Sequence, residues 1–246
     1  MSGHVHGRGT ESAAHTHTHT AEKTAHAHPA DGPAHTHLPD GVAALVHGDA
    51  LAAAHVNALL RVVPPRDPVT RPDASARAER QRRRWATQVV VVDELARRAC
   101  AERGLRPPEE VRPAQVLAVA EEDVADLGSI VAAVLAHSPA ARVLLAALES
   151  EQDVPESAVR DYYDRNPDRF LTPDALRRGV DPFGGTDTSD HLPYEGVREG
   201  VAHELRRSAG RRAFFAWLDR ARAGVVYAAG HEHPGDPSHP DHEHRH

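Results

Sequence analysis

The sequence contains a single cysteine, Cys100, so no internal disulfide can form and a cysteine-cluster metal site is excluded. A reducing, cytoplasmic setting is the expectation that follows. Aromatic residues make up only 4% of a chain that is 40% hydrophobic, and much of the apolar content is alanine. Alanine favours helices and lets them approach closely, so the composition argues for packed helices and against an aromatic-rich sandwich of sheets. No apolar stretch approaches the roughly 20 residues that a membrane-spanning helix needs, and the N-terminus has neither the basic start nor the apolar run of a signal peptide. No membrane partner is expected. Lysine is nearly missing too: Lys23 stands alone and the other basic residues are arginine, a bias that reflects a GC-rich coding sequence rather than a function.

Histidine, by contrast, is abundant, with 20 residues in 246. The net charge is −7 with histidine neutral, and protonation near the ordinary imidazole pKa of about 6.5 can reverse that sign. A static polyanion-binding role is therefore not implied. Residues 1–41 hold the run His15-Thr16-His17-Thr18-His19 and the pairs His26/His28 and His35/His37 in a low-complexity setting that cannot offset the entropy of ordering. Residues 230–246 are broken by proline and carry His231, His233, His239, His242, His244 and His246, interleaved with carboxylates. Both ends are expected to be disordered tails. Neutral imidazole ligates Zn, Ni, Cu and Co, and these six C-terminal histidines are the candidate metal ligands, with Zn or Ni as the ions the tails would take and no cofactor required. The competing reading is a solubilising tail without a preorganised site.

Between the tails, residues 42–229 read as one mainly helical domain. Val42 to Val46 reads as a strand, His47-Gly48-Asp49 as a turn, and Ala50 to Val63 as a helix. After a proline-broken connection, a long helix runs from about Asp73 to Arg103, with Trp85, Val89, Val92, Leu95 and Ala99 on one face and Gly104 as its stop. Pro113 can open a further helix, Leu127 to Ala136 form another, and Ser138-Pro139 supplies a cap and first-turn proline for a helix through Leu148. Val154-Pro155-Glu156 starts a helix that Asn166-Pro167 ends. Residues 171–193 read as a linker or irregular loop, Pro193 opens a helix to about Ala223 with Tyr194, Val197, Val201, Leu205, Phe214 and Leu218 on its face, and Val225 to Ala228 form a short strand.

The order of these pieces, together with the segment Tyr162-Tyr163-Asp164-Arg165-Asn166-Pro167-Asp168-Arg169-Phe170, resembles the SurA/PpiC-like parvulin chaperones. The opening Val46-His47-Gly48-Asp49-Ala50-Leu51 is similar to the family's Val-x-Gly-x-x-Ile, and Pro193-Tyr194 through Leu205 is similar to the helix that follows the family's isomerase domain. The resemblance implies a SurA N-terminal-like helical fold in which the opening and closing strands pair. It also implies a departure: only 22 residues separate Phe170 from Pro193, too few for a parvulin domain, so residues 171–193 stand in its place and no catalytic residue is carried over.

The expected function is therefore a non-catalytic, ATP-independent chaperone-like module related to peptidyl-prolyl isomerases, with an unfolded or extended polypeptide as its client. The alternatives are a metal-binding protein that works through its His-rich tails and a residual prolyl isomerase. Arg77, Arg80 and Arg84 line one side of the long helix, but no aromatic residues interleave for base stacking, so a solvated face is favoured and no nucleic acid is expected. Gly-x-Ser-x-Gly is absent, and Gly184-Gly185 lacks the strand-to-helix setting of a phosphate loop.

Overall fold

Residues 38–63, 72–109, 130–184 and 187–233 are described by the structure, a computed structural model. Val42–Val46, apolar throughout and β-branched at both ends, forms strand β1 with its middle residues buried. His47 and Gly48 both take positive φ, 51° and 92°, the two-residue turn whose twist suits a hairpin. It returns the chain as β2, Asp49–Ala52, with Val46 opposite Asp49 and Leu45 opposite Ala50. Ala50 to Ala52 are thus strand and not helix, because the tight turn holds them in register with β1. Helix α1 is Ala53–Val62.

Strand β3, Val225–Tyr227, pairs antiparallel with the other edge of β1, placing Ala44 opposite Tyr227 and Val46 opposite Val225. The sheet order is β2-β1-β3, so the expected two-strand pairing is part of a three-stranded sheet. His47 ties the hairpin to the helix that precedes β3: its backbone N–H donates to Gly224 O (3.0 Å), and its Nε2 lies 3.0 Å from Ala221 O.

Helix α2, Pro72–Glu102, spans about 45 Å at 1.5 Å per residue. Val89, Val92, Leu95 and Ala99 are buried as their spacing predicts, and Gly104, at φ 66°, provides the left-handed residue that ends the helix. Arg82 of α2 donates to Leu60 O and Val63 O, covering carbonyls at the end of α1 that no helical amide reaches. Helices α3, Ile130–His137, and α4, Pro139–Ser150, meet at a bend of 105°. Ser138 makes that bend: its Oγ accepts from Ala141 N (3.0 Å) while its own N–H donates to Val134 O. Together α3 and α4 are long and apolar, but the bend separates them and their apolar residues lie in the core; among the described residues no single helix is long and apolar enough to cross a membrane.

Helix α5, Glu156–Arg165, ends in a 3-10 turn at Pro167–Phe170. Residues 171–193 are not the irregular linker expected. They contain helix α6, Pro173–Arg178, capped by the Thr172 hydroxyl and closed by Gly179 in left-handed conformation, and a 3-10 turn at Thr188–Asp190. Thr172-Pro173 and Gly179 are the local start and stop signals of α6, while of the Gly184-Gly185 pair that suggests a loop Gly185 lies outside the described residues. Helix α7, Tyr194–Arg222, leads to β3.

Along α7 the apolar side changes. Tyr194, Val197, Val201 and Leu205 share one side and pack with Val159, Phe170, Tyr162 and Tyr163. Phe214 and Leu218 pack with the main cluster of α2, α3, α4 and the sheet. The nine residues from Leu205 to Phe214 are two and a half helical turns, so the single face expected from sequence is two nearly opposite ones. Where α7 crosses α4, a Cβ on Gly210 would stand 2.7 Å from Glu149 Cα, so glycine is what permits the approach.

The expected tail boundaries also shift. Val42 N donates to Pro39 O and Ala53 N to Gly41 O, so residues 39 and 41 take part in the bonding of the described body. At the other end that body continues past 229, since His231 is buried and Glu232 is bonded. The readings made for residues 1–37, for the helix opened by Pro113 and for residues 127–129 and 234–246 lie outside the described residues.

Candidate functional site

Three polar side chains project from one side of α2 at positions 84, 87 and 88, the spacing that stacks neighbours on a helix face. Each meets a residue after α7. Arg84, only 1% exposed, donates from Nε to Glu232 Oε2 at 3.3 Å, and Glu232 Oε1 in turn accepts from Gly230 N at 2.8 Å. Thr87 donates its hydroxyl hydrogen to Arg83 O (2.9 Å) and stands 2.7 Å from His231 Nδ1. With that hydrogen committed, the hydroxyl offers a lone pair, so the imidazole carries its proton on Nδ1 and donates. Gln88 Oε1 accepts from Tyr227 Oη at 3.0 Å, while its buried Nε2 has no partner among the described residues.

Burial pushes His231 below the ordinary imidazole value, the cation of Arg83 pushes the same way, and Glu232 opposes both. Burial raises Tyr227, with Arg222 and the bond to Gln88 acting against it, so its hydroxyl is protonated at neutral pH and able to donate. With the Thr87 hydroxyl hydrogen held by Arg83 O, these bonds fix the chain after β3 to α2. Two expectations change here. Arg84 does not belong to a solvated face, and the buried His231 is engaged with Thr87 instead of extending into a tail. His233 is partly buried and has a partner of its own. His239, His242, His244 and His246 lie outside the described residues, and no group of three His, Cys, Asp or Glu able to hold a metal occurs among those described.

A second constellation surrounds the segment that carries the family resemblance. Tyr163 lies against Phe170 (4.8 Å between ring centres) and edge-on to Tyr194 (5.4 Å). Arg160 covers the Tyr194 ring at 3.7 Å. Tyr194 Oη donates to Glu156, which also pairs with Arg198 at 2.9 Å, and these contacts hold the Glu156 carboxyl below its ordinary range. Arg169 grips both carboxylate oxygens of Glu204 at 2.8 and 3.2 Å. Among the larger aromatics, Phe170 and Phe214 are buried, and Trp85, Tyr162, Tyr163 and Trp217 are partly buried against the two clusters.

The segment 171–193 is bracketed by backbone bonds. Leu171 pairs with His191, Thr172 N donates to Asp190 O (2.7 Å) and Leu192 N to Phe170 O (2.7 Å), while Tyr163 Oη donates to Leu192 O (2.7 Å). Its departure and return are thereby held side by side. Leu176 and Phe183, both within this segment, are 60% and 70% exposed.

The seam escaped the sequence reading because Arg84 and Glu232 are 148 residues apart and Arg84 sits in an arginine run. One signal was present: Thr87 and Gln88 interrupt the apolar face of α2, where polar groups require partners. Compared with protein-family models, with curated proteins and with solved structures, the chain matches none.

Proposed function

We propose that the chain is a non-catalytic, ATP-independent client-binding module, built on the plan of a SurA-like chaperone shell and shielding extended apolar segments of other polypeptides. The observation that carries the reading is the pairing of β1 with β3, because the resemblance required the two ends of the domain to meet in one sheet. The bracketed insertion adds support: α5 leads into it and α7 leaves it side by side, the placement that a parvulin domain would require. The exposed Leu176 and Phe183 give it apolar surface for a client.

The test is light scattering from a heat-aggregating enzyme, without ATP, at increasing ratios of the full chain. Suppression at near-stoichiometric ratio is expected, and it should weaken in a Leu176→Ser/Phe183→Ser protein. Unaltered aggregation at severalfold excess would overturn the reading. The same protein should leave the cis-trans exchange rate of an X-Pro peptide unchanged; catalysed exchange would establish residual isomerase activity instead.

A further inference from the structure

Between Val225 and Glu232 the single buried residue is a histidine, whereas β1 beneath this segment buries Ala43, Ala44 and Val46. Val226 is 42% exposed, and Val225 and Tyr227 are only partly covered. The segment therefore contributes little apolar burial of its own. Its hold on the body consists of the ladder to β1, extended by Ala228 N to Ala43 O at 3.0 Å, the polar bonds to Arg84, Thr87 and Gln88, and the partly buried Val225 and Tyr227 against the main cluster. Elements with few buried apolar contacts open at lower free energy than the core they rest on. Polar bonds of this kind contribute modestly in net terms, yet they fix one arrangement, since displacing them leaves buried donors unmet.

We infer that residues 225–232 form a releasable strap, and that its release bares the β1 edge as a docking site for an extended polypeptide strand. The strap itself shows what fits: a short antiparallel strand with β-branched residues at its start, as in Val225-Val226-Tyr227, paired with Ala44, Leu45 and Val46. The charged groups around its end, Arg83, Arg84 and Glu232, set how firmly it is latched. This inference deepens the client-binding reading by assigning the client a place, and the two fail separately. A chain that opens and accepts a strand but suppresses no aggregation ends that reading and leaves the strap standing.

Hydrogen exchange of the full chain under native conditions tests the release, and a fluorescent peptide copying residues 224–233 tests the docking. The amides of Val226 and Ala228 should exchange well before that of Leu144 in α4. Glu232→Gln should speed them by about tenfold, and Thr87→Val by a smaller factor, with Leu144 unmoved. The peptide should bind the Glu232→Gln protein more tightly than the unsubstituted chain. Exchange of Val226 and Ala228 in step with Leu144, or a peptide that binds neither protein, overturns the inference.

Discussion

The region built by α2, α3, α4, the sheet and the C-terminal half of α7 is held differently from the region built by α5, residues 171–193 and the N-terminal half of α7. The first buries a continuous set of alanine, valine and leucine side chains, with Phe214 as its largest apolar member. The second has a smaller cluster of Val159, Phe170, Tyr194 and Val201, with Leu171 and Ala175 also buried in the region, and surrounds that cluster with tyrosines and exposed ion pairs. Aliphatic burial has no charge to screen or titrate; exposed ion pairs do, and each contributes little. One helix serves both regions by turning its apolar side halfway along its length.

This contrast gives predictions of graded size. Phe214→Ala should be the most damaging change, lowering unfolding free energy in urea by about 3–5 kcal/mol across the whole described domain. Phe170→Ala should instead act locally, raising amide exchange in α5 and α6 far more than in α2; equal acceleration in both would erase the distinction. Gly210→Ala should cost about 1–3 kcal/mol, because α4 backbone occupies the space of the new methyl. Ser138→Ala should cost about 1 kcal/mol by removing the α4 cap.

The smallest effects are those of pH, and they sharpen the comparison most. His231 has a folded pKa below its unfolded value of about 6.5, so the unfolded or released segment binds more protons. Its docking is fully stabilised above pH about 6.5 and weakens as the pH falls from there toward the folded value. Glu156 is likewise depressed, but from an ordinary value near 4.5, so the ties it makes to Tyr194 and Arg198 hold at neutral pH and loosen only in more acid solution. Exchange followed through acidification should therefore show residues 225–232 loosening before the start of α5. Raised salt should weaken the exposed Glu156–Arg198 pair more than the largely buried Arg84–Glu232 pair.

Much of the frame was legible in sequence where the cause is local. Ser138-Pro139 marked the start of α4, Gly104 the end of α2, and Asn166-Pro167 the end of α5, each through backbone preferences that tertiary contacts did not overturn. The hairpin at His47-Gly48 was read as a turn, yet its return strand was not, because Ala50 and Ala52 favour helix when considered alone. The two sides of α7 are hard to see for another reason: apolar spacing is regular within each half, and only the half-turn between Leu205 and Phe214 separates them. The polar seam was the least legible, since its partners are united only by folding. His231 looked like the beginning of a tail until burial and Thr87 gave it a place in the body.

The most direct test of the account is hydrogen exchange of the full chain with and without a saturating, permanently unfolded client. The account predicts new protection within residues 173–183 and on the amides of β1, accompanied by faster exchange at Val226 and Ala228 as the strap is displaced. An exchange pattern identical with and without client, at a client concentration that saturates aggregation suppression by known chaperones, would contradict it.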